Sequence, residues 1–126
     1  EGETVLVGPV EYIVTFEGTH DGDKETEPEN TFVKIGIIAK NISDENTVVS
    51  GGQFFLVDGK DQKHKAVFGE FSSKDLWLVG LEPNKPIEVT TQFDIPFDED
   101  ENYKIVIRPQ KDQATVDTAS ICLTNC

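Results

Sequence analysis

The sequence predicts an all-β protein, an antiparallel sandwich of two sheets with about eight strands. Three observations predict this fold. Apolar and polar residues alternate along most of the 126 residues, which is the pattern of strands that bury one face. Gly, Pro, Asn and Asp interrupt the alternation at intervals that suit turns. No stretch carries the apolar stripe at helical spacing that long amphipathic helices require.

The predicted strands follow one another in chain order with short connections. The clearest is 87–95, in which the odd-numbered residues, Thr91 among them, form an apolar face and the residues between them are polar. β-Branched and aromatic residues fill these runs, as a pleated, half-buried surface favours. One helical turn is predicted at 72–76, with Ser72 or Ser73 as its cap. The predicted strands are 4–7, 12–16, 33–39, 53–58, 63–68, 87–95, 103–107 and 114–123.

The size and charge of the chain limit its organisation and its partners. At 126 residues the whole sequence, 1–126, is expected to form a single domain. Against 24 Asp and Glu stand 11 Lys and Arg, which gives a formal net charge of −13. Nucleic acids and anionic membranes are not expected partners, because binding phosphates needs a basic face. We expect a monomer, because the negative charges of separate copies repel one another. We expect no transmembrane segment, since no apolar run approaches ~20 residues.

Several short stretches, taken in order, resemble a known family. The strand end Ala39-Lys40-Asn41-Ile42-Ser43 is followed by the run Gln53 to Lys60, then by Leu81-Glu82-Pro83, the run Phe93 to Pro96 and the run Tyr103 to Ile107. Together they resemble the domain of unknown function 4352, a family of immunoglobulin-like sandwiches in secreted proteins and lipoproteins of Gram-positive bacteria and archaea. A secreted mycobacterial immunogenic protein is similar to that family. The resemblance covers roughly residues 7–109.

The resemblance implies an immunoglobulin-like sandwich and an extracellular or cell-surface location, with no shared catalytic residues. The sequence begins at Glu1 and contains no Met, so we expect a leader that has been removed or lies outside the given sequence. Asn41 and Ser43 form a glycosylation sequon with Ile42, and a role in the turn after the strand is the simpler interpretation.

Two acidic stretches are the candidate metal ligands. The first spans 17–29 and the second is Asp98-Glu99-Asp100-Glu101. Ca²⁺ takes about six to eight oxygen ligands, which carboxylates from both stretches could supply if they project from one end of the sandwich. The alternative is that these carboxylates are solvated and prevent neighbouring strands from aggregating with other chains. The calcium candidates are Asp21, Asp23, Glu25, Asp98 and Asp100, and no other cofactor is expected.

The only cysteines, Cys122 and Cys126, are candidates for a disulfide. In a straight strand their Cα atoms would be ~13 Å apart, because each residue rises about 3.3 Å. A disulfide needs less than about 7 Å, so the three residues between them would have to turn back. An intramolecular bridge, a bridge to a second chain and free thiols therefore remain open, with the first favoured in an exported protein.

The candidate binding residue is Trp77, which lies with apolar neighbours in the long connection 69–79. Such a cluster can cover an open end of the sandwich as core, or it can be exposed as an interaction hot spot.

No catalytic motif accompanies these features. Of the two histidines, His20 is predicted to border the acidic stretch 17–29, and His64 is predicted to be exposed on a hairpin arm. The sequence lacks a Gly-x-Ser-x-Gly nucleophile elbow and a phosphate-binding glycine loop. We therefore expect an exported, non-catalytic module that binds a protein or cell-envelope partner. The alternative is a calcium-binding extracellular module that uses 17–29 and 98–101.

Overall fold

Alternating sequence runs form antiparallel strands throughout the residues that this computed structural model describes, which are 4–21, 30–67, 76, 78–109 and 118–124. Within these ranges there are ten strands and one 3-10 turn, at Gly51–Gln53. The strands are β1 (Thr4–Val7), β2 (Val10–His20), β3 (Thr31–Asn41), β4 (Thr47–Ser50), β5 (Phe54–Val57), β6 (Lys63–Lys65), β7 (Leu78–Leu81), β8 (Ile87–Ile95), β9 (Tyr103–Ile107) and β10 (Ala119–Thr124).

The strands form two four-stranded sheets and one small sheet. The first sheet has the order β1-β2-β3-β8, the second has the order β10-β9-β5-β6, and β4 pairs with β7 in the small sheet. All these pairings are antiparallel. The predicted all-β antiparallel sandwich of the immunoglobulin-like kind is therefore confirmed.

The core is formed by the side chains that alternate inward on the two large sheets. On β3 the inward positions are Val33, Ile35 and Ile37, and all three are buried. Phe54 of β5 meets Tyr12 of β2 edge to face, with ring centroids 5.6 Å apart, which joins the two sheets. Burying a large apolar side chain contributes ~1.5–3 kcal/mol, so this shared interior holds the sandwich together.

The structure confirms most of the predicted strands and adds two. Strands 4–7, 87–95 and 103–107 have the predicted bounds, whereas β4 and β7 were not predicted. Gly51 and Gly52, which interrupt the alternation, form the 3-10 turn together with Gln53, so the strand predicted at 53–58 begins one residue later, at Phe54. Most of the predicted helical turn and residues 114–117 of the last predicted strand lie outside the described residues. In the part of the chain that the structure describes, no helix has the length and apolar character needed to cross a membrane.

Candidate functional site

The described ends of three connections that carry acidic residues lie at one end of the sandwich, which we call the acidic end. At this end β2 finishes at His20, β3 begins opposite it, and β8 finishes at Ile95. The backbone N–H of Asn30 donates a hydrogen bond of 2.9 Å to Asp94 Oδ1. The β5–β6 hairpin lies at the same end, because the Gly59 N–H donates to Glu101 Oε1 at 3.0 Å. The described residues that flank or belong to the two predicted acidic stretches therefore lie at the same end of the sandwich.

The carboxylates of Asp98 and Glu101 organise the turn between β8 and β9. Asp98 Oδ1 accepts the Asp100 N–H at 2.9 Å, and the Asp98 carbonyl accepts the Glu101 N–H at 3.1 Å. The Tyr103 hydroxyl accepts the Asp98 N–H at 3.0 Å and donates to Glu101 Oε2 at 3.2 Å. An Asp that binds the backbone two residues on is a common turn device. These contacts give Asp98 a structural role.

The calcium prediction is not tested by these contacts. Within the described ranges, no three His, Cys, Asp or Glu side chains come together in a group that could hold a metal ion. Asp21 and Asp100 are exposed at the acidic end, whereas Asp23 and Glu25 lie outside the described residues. Calcium binding therefore stays a prediction.

Sequence reasoning missed a pairing between His64 and Asp58 across the β5–β6 hairpin. His64 Nε2 lies 3.1 Å from Asp58 Oδ2, and both side chains are partly buried. Asp58 Oδ1 also accepts the backbone N–H groups of Lys60, at 2.9 Å, and Gln62, at 3.0 Å. Burial acts to raise the pKa of the Asp58 carboxyl, but the His64 hydrogen bond and the two backbone donors outweigh it and lower that pKa.

The pair lies in a small polar recess at the acidic end. The recess has a volume of about 170 Å³, and Glu101 and Tyr103 line it together with the pair. None of its described lining residues is a Ser, Thr or Cys that His64 could activate as a nucleophile. The signal in the sequence was the six-residue spacing between Asp58 and His64 across an Asp-Gly turn, which places the two side chains on facing arms of a hairpin. The recess is best explained as the structural centre of the hairpin.

A larger, apolar cleft opens on the side of the sandwich beside the small sheet. Its volume is about 410 Å³, within the range of small-molecule sites. Leu78 on β7 is 58% exposed at this cleft, whereas Leu76 is buried in its wall. The described lining residues are Ser50, Gly51, Gly52, Ala66, Leu76, Leu78 and Thr91.

Close backbone contacts around the 3-10 turn and the edge of β8 position the walls of this apolar cleft. A Cβ atom placed on Gly51 would lie 3.1 Å from the Leu76 carbonyl oxygen, so the glycine allows the two backbones to approach. The Leu76 N–H donates to the Thr90 carbonyl at 2.7 Å. The Val67 N–H donates to the Gln92 carbonyl at 2.8 Å. Both contacts attach chain segments to the β8 edge and leave the cleft beside them.

Thr91 is the buried polar residue in the described wall of the apolar cleft, which the half-buried Ser50 also lines. It lies on the inward face of β8 opposite Ile35, as the alternation predicts, and its side chain is buried. Among the described residues, its Oγ1 is the buried side-chain oxygen that has no hydrogen-bond partner. Buried hydroxyls are nearly always paired, so an unpaired one requires an explanation.

The structure describes only part of the remaining predicted candidates. Trp77 and Cys126 lie outside the described residues, so the partner-binding role and the disulfide pairing stay predictions. Cys122 lies on β10 opposite Lys104 and is disulfide-bonded, which leaves no free cysteine among the described residues.

Asn41 has the role in the turn that was the simpler interpretation of its sequon. The residue is buried, and its Nδ2 donates to the carbonyls of Glu45, at 2.6 Å, and Leu81, at 3.2 Å. Its Oδ1 accepts both the backbone N–H and the hydroxyl of Ser43, at 2.9 and 2.7 Å. The Nδ2 atom that a glycan would modify is therefore occupied and inaccessible in the folded chain.

Comparisons with known proteins agree with this fold. A family model described as Domain of unknown function (DUF4352) matches residues 1–116. No curated protein matches the chain in sequence.

Solved structures of low sequence identity share the architecture. The yjhA protein from Bacillus subtilis is 19% identical with a TM-score of 0.74, over 97% of this chain and 96% of its own. The ycdA protein from Bacillus subtilis, a proposed lipoprotein, is 17% identical with a TM-score of 0.73, over 98% of this chain but 39% of its own. A proposed lipoprotein from Staphylococcus aureus is 14% identical with a TM-score of 0.50, over 96% of this chain and 88% of its own. At these identities the likeness shows the fold alone.

Proposed function

The chain belongs to the family of the Domain of unknown function (DUF4352), and on that premise we propose that it is an exported, non-catalytic immunoglobulin-like module that binds a cell-envelope partner. The partner is a protein or another component of the envelope. The binding surface we propose is the apolar cleft, with Leu78 at its rim.

The exposure of Leu78 beside the apolar cleft is the observation that carries this proposal. An apolar side chain that is 58% exposed costs free energy in water, and here it stands next to a concave apolar wall rather than alone on a convex surface. A partner side chain inserted between Leu78 and Ala66 would cover both. Interfaces draw most of their energy from a few apolar anchors seated in such pockets.

Two further observations support an exported location. Two of the structural neighbours are proposed lipoproteins, a class of protein attached to the outer face of a membrane. Cys122 is disulfide-bonded, and disulfides persist mainly in oxidising, extracytoplasmic compartments. The −13 charge fits such a module, because it keeps an exposed domain soluble while the cleft stays free for its partner.

Calcium binding stays the alternative function. It would draw on Asp21, Asp98 and Asp100, whose connections the strand order brings to the acidic end. A stabilisation that Ca²⁺ produces and Mg²⁺ does not would be its evidence.

Binding to cell envelopes with matched leucine variants tests the proposal. Leu78→Thr removes the apolar rim of the cleft and keeps a residue that favours strands. Leu6→Thr is the control, because Leu6 is 57% exposed on β1 and lies outside the described lining of the cleft. Binding of the labelled domain to purified walls and membranes of a Gram-positive bacterium is measured for both variants and the unaltered chain.

We expect Leu78→Thr to weaken envelope binding at least about five-fold, as the loss of an apolar anchor does, and Leu6→Thr to leave it unchanged. Equal binding by both variants would place the partner elsewhere on the domain. Absence of binding by the unaltered chain would remove the proposal.

A further inference from the structure

We propose that the apolar cleft recognises a neutral, mainly hydrocarbon ligand group through one hydroxyl or carbonyl oxygen, which pairs with the hydroxyl of Thr91. This inference deepens the proposed function and rests on it for the biological partner, because it states the chemistry that the same cleft would select.

The size and the walls of the cleft suit a hydrocarbon group. A volume of about 410 Å³ accommodates an alkyl chain or a cluster of branched carbon groups. Apolar side chains of Ala66, Leu76 and Leu78 supply much of its described wall, and the backbones of Gly51 and Gly52 complete that side. Such a wall favours the binding of a hydrocarbon group in proportion to the apolar area that binding removes from water.

Two described lining residues carry a hydroxyl, and of these Thr91 is buried whereas Ser50 is half-buried. Val at position 91 would fill the same inward place on β8 without burying a polar atom, and the neighbouring inward residues Val89 and Phe93 are apolar. The buried Thr91 Oγ1 has no hydrogen-bond partner in the described structure, and leaving such a group unpaired costs free energy. A hydroxyl both donates and accepts, so a ligand hydroxyl or a carbonyl would each satisfy it.

The described part of the cleft wall is uncharged. None of its lining residues carries a charge, so this part of the wall offers no counterion to an ionised ligand. The net charge of −13 adds a repulsion that an anionic ligand would meet on approach. An ionised group would also lose its hydration on entering an apolar wall. The cleft therefore selects neutral oxygen groups over carboxylates.

Titration with 1-octanol, followed by two-dimensional amide NMR, tests this inference. Octanol combines an alkyl chain with one neutral hydroxyl, and octanoate is its anionic counterpart. The signals to follow are the backbone amides of Gly51, Gly52 and Leu76, which lie in the cleft wall. Thr91→Val removes the hydroxyl, and Thr15→Val is the matched control because Thr15 is exposed on β2 and lies outside the described lining.

We expect octanol to shift these amides saturably and to bind the Thr91→Val variant about three- to ten-fold more weakly, the usual effect of one lost hydrogen bond. Octanoate should bind more weakly than octanol, and the Thr15→Val variant should match the unaltered chain. Thr91→Ser keeps the hydroxyl and should retain more affinity than Thr91→Val, which separates lost recognition from altered packing.

The outcomes separate this inference from the proposed function. Unmoved cleft amides, or equal octanol affinity of the unaltered chain and Thr91→Val, would overturn the inference even if Leu78→Thr abolishes envelope binding. The opposite result is octanol binding that depends on Thr91 together with envelope binding that Leu78→Thr leaves unchanged. That result would support the ligand chemistry and would show that the cleft is not the partner surface.

Discussion

Thr91 stands at a position where a purely structural residue would be apolar. If its hydroxyl serves a ligand, the unliganded chain bears the cost of burying it. We expect Thr91→Val to stabilise the unliganded domain by ~1–2 kcal/mol, because the substitution removes a buried hydroxyl that has no partner in the described structure. Urea unfolding monitored by tryptophan fluorescence measures this change in the free energy of unfolding. A loss of stability would show that the hydroxyl forms a bond in solution.

The Asp58–His64 pair gives a pH dependence whose sign follows from the lowered pKa of Asp58. A carboxyl whose pKa is lower in the folded state stabilises the fold above its unfolded pKa, about 3.9, and this contribution is lost as the pH falls through the folded pKa. Asp58→Asn keeps an oxygen acceptor but cannot titrate.

We therefore expect the unaltered chain to lose more stability than Asp58→Asn when the pH is lowered from about 6 to about 2. The comparison cancels the contribution of the other carboxylates, which are common to both chains. Urea unfolding at several pH values in this window checks the prediction, and parallel curves for the two chains would contradict it.

Among the strands, the long ones with unbroken alternation could be predicted and the short ones could not. Strand 87–95 was predicted because nine residues alternate without interruption and both flanks carry turn residues. β4 and β7 have four residues each, with two adjacent valines in one and a glycine in the other, and they pair only with each other. Such strands are recognisable only once the chain has brought them together.

The same limit explains why the apolar cleft was not predicted. Its described walls come from the 3-10 turn after β4, from Ala66 after β6, from Leu76 and β7, and from the inward face of β8, and only the tertiary fold brings these separate segments together. The sequence did identify the connection 69–79, which leads into β7, as a candidate surface. Thr91 was placed correctly on the inward face, but its missing hydrogen-bond partner is a property of the folded chain.

Asn41 connects three elements, so its loss should affect the sandwich more than an ordinary turn substitution. Its side chain binds the Leu81 carbonyl of β7 and the turn residue Glu45, and its own carbonyl accepts the Asn84 N–H at 2.7 Å. We expect Asn41→Ala to cost ~2–3 kcal/mol, because it leaves two carbonyls without their donor. Ser43→Ala, at the more exposed side of the same turn, should cost less than half as much in the same urea measurement. Similar losses of stability in both variants would show that the hydrogen bond from Asn41 to β7 adds nothing to the free energy of unfolding.

At the scale of the whole molecule, the strand order turns scattered carboxylates into one acidic end. The sequence predicts a calcium site shared by both acidic stretches only if they project from the same end of the sandwich. The register of β2, β3 and β8 brings the described residues that flank them to one end. What the sequence could not predict is how the carboxylates are used. Asp58 and Asp98 accept backbone N–H groups of their own turns, and Glu101 accepts the Gly59 N–H of the neighbouring hairpin, which gives all three a structural role.

The charge of −13 predicts how the whole molecule responds to divalent cations. Like charges gathered on a folded surface repel one another, so any screening ion should raise the melting temperature. We expect a rise of a few degrees in several millimolar CaCl₂ and an equal rise in MgCl₂, each measured against EDTA at low salt. A rise that is larger in CaCl₂ would reveal a specific site, since a ligand at about a hundred times its dissociation constant adds ~2.7 kcal/mol to stability. Asp98→Asn combined with Asp100→Asn should then remove the excess and leave the magnesium effect in place, because only a bound ion depends on these two carboxylates.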